Sequence, residues 1–599
     1  MIKRPWSKAR PISKPIIFAA FDTESDGLGG TLLAGTTTNP DGESQYYSGS
    51  PEHICSMMFH DMWNHPNTRT ANVIWYGHFA QYDWRYLIRY LLTQPNWHMD
   101  IALRTDTDIY QITVSRVAQN GKTEKIIMRD SYAIFNTTLE RFTAQFAPDH
   151  AKLHLDWNVT RFDPKNSEHI AYAIRDTESL RIALINFDAA VQSDYGIPIK
   201  ATFASTALAA WQQTLTDEEI YFPSDGFVED FARRAYFGGL VFITSNEVHT
   251  DCVTYDINSS YPDVMRRCGV PVGRWGQTTV LQFDAPAFYD VTVDAPAATI
   301  IPILPRRVKG SIRWNTGTFR TVITNDELAF AMQHGYKLLQ IHDGLQFEEL
   351  GYPFTAFVDK AERIRAECKK TPRETVAKYM QNSLYGKFGS KRERNQMYVL
   401  AENELPQTGL DWQPWGDTGR LWVAVEEQED MACRVEWAAW ITAQARLHLL
   451  KTAYEVGPNI CLYGDTDSLT LAHESDRLSQ SDAYGAWKIE KRWHSFRAIA
   501  PKVYAGCTAT PAGPTLQGAA KGLTAKATGA PEWRELLAGR RVEVQYESLS
   551  SLLCDLKKPS IIKSELKTRK SSTLENAKSY EQRSGTSQTG GEVRPRKAG

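Results

Sequence analysis

The chain lacks any cysteine pair of the C-x-x-C kind; its cysteines stand apart at 55, 252, 268, 368, 433, 461, 507 and 554. That scatter offers neither a zinc site nor a disulfide framework and fits a reducing compartment. No run approaches the roughly 18 apolar residues needed to cross a bilayer. The opening MIKRPWSKARPISKPIIFAAF joins basic residues to an apolar run too short and too proline-rich for a signal peptide, and Asp22 ends it. These absences predict a cytoplasmic protein with no membrane partner. A large net charge is missing too: the formal value is −2 and the isoelectric point about 6.7. A strongly basic nucleic-acid binder is thereby not indicated, although a basic channel can sit inside a neutral total. Internal repeats are absent as well.

What is present is a long, ordinary folding composition. At 599 residues the chain exceeds one hydrophobic core and predicts about two to four domains. An apolar share of 42% and a charged share of 23% are those of a folded protein. The aromatic load includes 17 Trp and 26 Tyr, which composition alone assigns to core packing rather than to base stacking. Residues 557–599 carry 11 Lys/Arg against 4 Glu, and 571–599 is rich in Ser, Gly and Gln, predicting a disordered basic tail.

Hydrophobic patterning places strands at PIIFAAFD (15–22) and NVIWYGH (72–78), and around the turn Asn120-Gly121 at 108–116 and 124–130. Helices are predicted over 80–94 and 167–191, the second opened by Ser167 with Glu168 in its first turn. Alternating strands and helices make 1–195 an α/β layer domain, ending near Tyr195-Gly196 and Pro198. Beyond it, VTYDINSSYP (253–262) reads as a strand running into a turn. Two helices joined at Thr371-Pro372 cover 352–370 and 371–389. A long helix covers 429–456, and ICLYGDTDSLTLA (460–472) reads as strand, tight turn, strand.

Two carboxylate clusters carry chemistry. Asp22 and Glu24 stand two apart on a strand, hence on one face, where they repel unless a cation joins them. Asp83 opens the helix after NVIWYGH, and Tyr172 and Asp176 are i,i+4 neighbours on the long helix. Four acids with neither His nor Cys suit two hard cations roughly 3.5–4 Å apart, an arrangement that cleaves phosphodiesters. The second cluster is Tyr463-Gly-Asp465-Thr-Asp467-Ser468, a tight turn between apolar strands, joined by Asp256 at the end of another strand. Between them Lys378, Asn382 and Tyr385 share one helical stripe, a cation, an amide and an aromatic for one nucleotide. Gly386 and Gly389 close that helix and allow close backbone approach.

In order along the chain, FDTE (21–24), YGHFAQYD (76–83) and YAIRD (172–176) resemble the three exonuclease motifs of family B DNA polymerases. DINSSYP (256–262), KYMQNSLYGKFG (378–389) and YGDTDS (463–468) resemble that family's three polymerase motifs. The resemblance covers roughly 15–525. It implies an α/β and α+β multidomain fold, an RNase H-like 3′-5′ exonuclease domain (1–195) followed by a right-hand palm/fingers/thumb polymerase domain (196–570). The palm would hold the motifs near 256 and 465, the fingers about 352–389 and the thumb about 505–570. It further implies that Asp22, Glu24, Asp83 and Asp176 bind the exonuclease metals with Tyr172 assisting, and that Asp256 and Asp467 bind the polymerase metals with Asp465 in support. The ions would be Mg²⁺, two per site, with Mn²⁺ able to substitute. Lys378 and Arg365 would meet the triphosphate, Tyr261 would close the sugar pocket, and Tyr385 and Asn382 would shape the base-pair pocket. Lys502 and Tyr504, in Pro501-Lys502-Val-Tyr504, would hold the primer end.

One position departs from the family pattern: Phe79 stands where Asn is customary in the second exonuclease motif. MRDSYAI (128–134) resembles a single-strand-binding segment, with Asp130 structural, and Lys152 is a candidate helper at the scissile phosphate. Tyr236-Phe-Gly238-Gly239 resembles the DNA-binding linker of the protein-primed subgroup, which serves small phages and linear plasmids. So does the early first motif, which leaves no room for a separate amino-terminal domain. Segments 266–350 and 390–459 have room for that subgroup's two insertions. The implied protein is a monomeric, template-directed DNA polymerase with a proofreading exonuclease, acting on primer-template DNA and dNTPs, in the host cytoplasm if viral, and started by a terminal protein. The alternatives are an enzyme that extends only nucleic-acid primers, and an exonuclease with a non-catalytic polymerase half.

Overall fold

The computed structural model describes residues 16–549 and 567–574, apart from 28–29, 66–71, 106–107, 119–120, 156–160, 217–220, 222–223, 402–403, 405, 407–410, 416–418, 428–432, 479, 511–512, 521–529, 539 and 541. The tail expected to be disordered thus lies outside the described residues from 575 onward, and its strand Lys567–Leu574 pairs with Val542–Leu549.

A ten-stranded sheet is built on the parallel trio Ile16–Ser25, Asn72–Gly77 and Thr123–Asp130, with antiparallel strands added on both sides. The apolar run of the first strand is buried because helix Ser167–Tyr195 packs across it. That helix starts at Ser167 as expected, with the Asn166 side chain capping it by accepting from Glu168 N at 2.8 Å. It stops at Gly196, whose φ of 70° is open to glycine and strained for other residues. The sheet does not stop at the end of this segment. Strands Glu393–Val399, Leu421–Glu427 and Trp412–Pro414 extend it, through pairing of Gln396–Val399 with Met99–Ala102.

The second half is organised by a seven-stranded antiparallel sheet, ordered Gly513–Ala520, Val503–Thr510, Trp487–Ala500, His249–Ile257, Ser468–Leu471, Cys461–Asp465, Val241–Ile243. Helix Val435–Val456 supports it, and its buried Trp437 and Trp440 join a core that also holds Phe142 and Phe187 from the first half. The segment read as a turn after Asp256 is instead a short helix, Ser260–Arg267. A four-stranded sheet (Val270–Gln277, Lys337–Gly351, Ala287–Ala295, Gly317–Thr324) and helix Asn325–Gln333 fill the first region with room for an insertion. Helices Thr355–Glu367 and Pro372–Phe388 form the expected pair. The second bears Lys378 and Asn382 on its exposed side and Ala377, Met380, Gln381 and Leu384 on its buried side. Among the described residues no helix is long and apolar enough to cross a membrane.

Candidate active sites

The first acid cluster assembles where the first strand meets the long helix. Carboxylate oxygens of Asp22, Glu24 and Asp176 all lie within 4.8 Å of one another. Asp83, at the start of helix Trp84–Leu92, stands beside them rather than inside that trio. Buried Thr23, between the two strand acids, donates its hydroxyl to Asp83 Oδ1 at 2.6 Å. Among the described residues one ammonium answers these charges: Lys152 donates to Asp176 Oδ2 and lies 4.4 Å from the centre of the Tyr172 ring. Burial opposes the Lys152 charge, but Asp176 and Tyr172 keep it firmly protonated. Asp130 is buried, and its carboxylate accepts from Tyr132 N at 2.9 Å, the structural part expected of it.

With so little compensation the acids hold protons tightly. Burial, then Asp83, Glu24 and Asp176, raises Asp22 well above the usual carboxylate range. Burial and then Asp176 push Glu24 up to about 8, and burial lifts Asp83 to about 7. An all-oxygen cluster with surplus negative charge is a donor set for hard divalent cations. Because the folded chain binds these protons more tightly than an unfolded one, the metal-free protein loses stability as pH rises from the ordinary carboxylate range towards about 8. Mg²⁺ should offset this, raising Tm more at about pH 8 than at about pH 6. Equal Mg²⁺ shifts at both pH values, measured by calorimetry, would contradict the cation assignment.

Phe79 adopts φ 57°, a left-handed conformation that Asn tolerates better than Phe. The residue is 53% exposed, and its ring meets Tyr132 edge-on with centroids 5.2 Å apart. An aromatic pair therefore stands where the family pattern has an amide.

The second cluster is set by strand register. Ser468 pairs with Asp256, and Ile257 N donates to Asp467 O at 2.8 Å, so Asp467 and Asp256 come from adjacent strands. The turn between the acids is tight, with Thr466 at φ 62°. Burial, then Asp256 and Asp465, pushes Asp467 up to about 6. Burial also raises Asp256, against the pull of Lys488, whose Nζ is 3.5 Å from Asp256 Oδ2. Asp465 is occupied differently: Lys502 Nζ donates to its two oxygens at 2.6 and 2.8 Å, and the Tyr463 hydroxyl donates at 3.1 Å. Lys502, expected at the primer end, is thus anchored on the supporting acid, while Tyr504 packs against Tyr463 with ring centroids 5.6 Å apart.

A cavity of about 460 Å³ opens over Asp256 and Asp467 and is also lined by Tyr261, Arg365, Lys378, Asn382 and Tyr385. All five residues expected at the nucleotide therefore meet at one place. The rings of Tyr261 and Tyr385 stack with centroids 4.3 Å apart and planes 9° from parallel. Three further lining residues, Asp482, Tyr484 and Lys488, have no counterpart in the sequence reading. Lys488 pairs in register with Asp256 across the sheet, a relation between residues far apart in the chain that local pattern does not carry.

The linker 236–239 ties this site to its neighbours. A side chain at Gly239 would come within 2.5 Å of Thr466 Oγ1, and one at Gly389 within 2.5 Å of the Tyr236 ring. Gly238 meets nothing at its missing Cβ; its carbonyl accepts from Arg446 Nη1 at 3.0 Å. Packing against the acid turn and the 378–389 helix therefore explains Gly239 and Tyr236 without DNA.

Comparison with known proteins agrees with this architecture. The family described as DNA polymerase type B, organellar and viral, matches residues 164–414, which include Asp176, Asp256 and Asn382. A "Probable DNA polymerase" of Neurospora intermedia is 25% identical over 366 residues, 57% of this chain and 37% of that protein. The DNA polymerase of Streptococcus phage Cp-1 is 27% identical over 335 residues, 51% of this chain and 56% of its own length. The chain thus spans less than two thirds of these relatives. A structure of Phi29 DNA polymerase complexed with primer-template DNA superposes with a TM-score of 0.73 over 94% of this chain and 100% of that one, at 16% identity. The fold is accordingly a multidomain α/β one like that of this polymerase structure. In sequence and in fold the chain is similar to DNA polymerases of type B, the organellar and viral kind.

Proposed function

We propose that the chain is a DNA-directed DNA polymerase with its own 3′→5′ proofreading exonuclease. The observation that carries this is the cavity of about 460 Å³ in which Asp256 and Asp467 face Lys378, Arg365 and the stacked pair Tyr261–Tyr385. Divalent cations held by Asp256 and Asp467 would supply charge neutralisation for in-line displacement at phosphorus. The chain's own residues do the rest. Lys378 and Arg365 neutralise the triphosphate, Tyr261 fills the space a 2′-hydroxyl would need, and Tyr385 backs the nascent pair. Asp465 keeps Lys502 beside the primer end without competing for metal, since its oxygens already accept from that ammonium. At the other site Asp22, Glu24, Asp83 and Asp176 would hold the cations, and Tyr172, under the Lys152 ammonium, would orient the attacking water. Neither cluster has lost an acid, which disfavours an exonuclease with an inert polymerase half.

A second cavity, about 500 Å³, runs between Tyr132 and Asn136 of the exonuclease half, Phe203, and Tyr379 and Tyr385 of the finger helix. Aromatic and amide walls leading to Tyr385 suit unpaired template bases. Priming by a hydroxyl of a separate terminal protein belongs to the same reading, supported by the Tyr236–Gly239 linker packed between the motifs at 378–389 and 463–468, by the elements at 270–351 and by strands Glu393–Val399, Trp412–Pro414 and Leu421–Glu427. The biological task would be copying a viral or linear-plasmid genome. The test is labelled dNTP incorporation with Mg²⁺ in two arms, one on an oligonucleotide-primed template and one with a candidate terminal protein and no primer. Incorporation in both arms, with a nuclease-resistant labelled protein in the second, is the expected result. Incorporation only in the first leaves an enzyme that extends nucleic-acid primers, and none in either removes the polymerase reading.

A further inference from the structure

We propose that Tyr484 is a positioning residue that holds Arg365 in place for the incoming triphosphate; this rests on the reading of the 460 Å³ cavity as the nucleotide site. Arg365 lies on helix Thr355–Glu367 and lines that cavity, yet among the described residues no carboxylate pairs with it. Its Nη1 donates to two neutral oxygens, Ser259 Oγ and Tyr484 Oη, each at 2.8 Å, and its buried Nε has no partner among the described residues. A guanidinium recessed at a cavity wall with only neutral partners keeps its charge and donors for an anion. The nearby Arg266 makes the contrast: it pairs with Glu362 at 2.6 Å and Asp359 at 3.6 Å, and its charge is spent within the fold.

Tyr484 is built to fix the first arginine. Its hydroxyl accepts from Arg365 and donates to Gln381 Oε1 at 3.0 Å, so one oxygen joins the two finger helices. Gln381 is fully buried on helix Pro372–Phe388, and its amide cannot turn elsewhere without leaving that oxygen unpaired. The Tyr484 ring lies under both guanidiniums, 5.4 Å from Arg365 and 5.3 Å from Arg266. The loop that carries it is fastened to the Asp256 strand. Gly485 N donates to Asn258 O at 2.8 Å, Asn258 N to Ala486 O at 2.9 Å, and Asn258 Nδ2 to Ser481 O at 2.7 Å. The metal acids and the triphosphate arginine are thereby held in one frame, with Tyr484 as the joint.

The expected consequence is a split between binding and turnover. In single-nucleotide incorporation on a saturating primed template, Tyr484→Phe should raise the KM for dNTP roughly five- to tenfold, the effect of one lost hydrogen bond to a charged group, and leave kcat within about twofold. The ring remains but Gln381 Oε1 loses its donor, so Tm should fall by a few degrees at most, while degradation of single-stranded DNA should match the parent. In an Arg365→Ala background the same change should add nothing. If Arg365→Ala leaves KM unchanged, the nucleotide-pocket reading fails and takes this proposal with it. If Arg365→Ala raises KM but Tyr484→Phe does not, or the two effects simply add, the positioning role alone is overturned. A Tyr484→Phe protein whose Tm and exonuclease rate fall together with kcat would make the residue merely structural, and would overturn the proposal equally.

Discussion

Asp256→Ala or Asp467→Ala is expected to abolish nucleotide incorporation while leaving 3′→5′ degradation of single-stranded DNA near the parental rate. The two acids are brought together where the strand after the acid turn pairs with the Asp256 strand, and burial, then the charge of Asp256, pushes Asp467 up to about 6. Removing either takes away one of the two carboxylates proposed to hold cations in the cavity. The loss should be roughly three orders of magnitude or more, several kcal/mol of transition-state stabilisation. Lys488 sharpens the expectation, because without Asp256 its ammonium faces the cavity without its ion-pair partner and further disfavours a cation there. Primer extension and single-strand degradation by the same preparation check this. Loss of both activities in a protein with unchanged Tm would mean that the clusters do not work separately.

The reciprocal change, Asp22→Ala with Glu24→Ala, should remove the exonuclease by a similar factor, spare incorporation, and raise the frequency of retained mismatches. Two of the three acids whose oxygens lie within 4.8 Å of one another would be gone, leaving Asp176 already engaged by Lys152. The same variant should be more stable than the parent in the absence of metal near neutral pH, since burial and mutual repulsion disfavour ionising both groups. A gain in Tm together with loss of nuclease separates a catalytic cluster from a structural one. A double variant that still trims a mismatched primer end at the parental rate would take these residues out of the site.

Much of this was legible in the sequence because each acid sits in a local pattern. Asp22 and Glu24 end an apolar strand, Asp465 and Asp467 bracket a tight turn, and Lys378, Asn382 and Tyr385 repeat at helical spacing. The unread parts depend on register between distant segments. Strand Glu393–Val399 joins the first sheet through residues about 300 positions earlier, and Lys488 reaches Asp256 only because their strands pair. The Thr23 hydroxyl secures Asp83, a contact between residues 60 positions apart that no local pattern carries. The helix after Asp256 was hidden because Ser259 enters it at φ 49° without a side-chain cap, so the usual start signal is absent. Lys502 is expected at the primer end and Asp465 in support of the metal acids, but their pairing joins residues 37 positions apart and is not written in either local pattern.

The most direct test of two separate sites in one chain uses a labelled primer with a mismatched 3′ end on a template, Mg²⁺, and the unmodified protein, with and without dNTPs. Without dNTPs the primer should shorten from its 3′ end, and with all four it should be trimmed past the mismatch and then extended to the end of the template. A primer that is neither shortened nor extended, or that shortens equally in both lanes with no extension, would contradict the account.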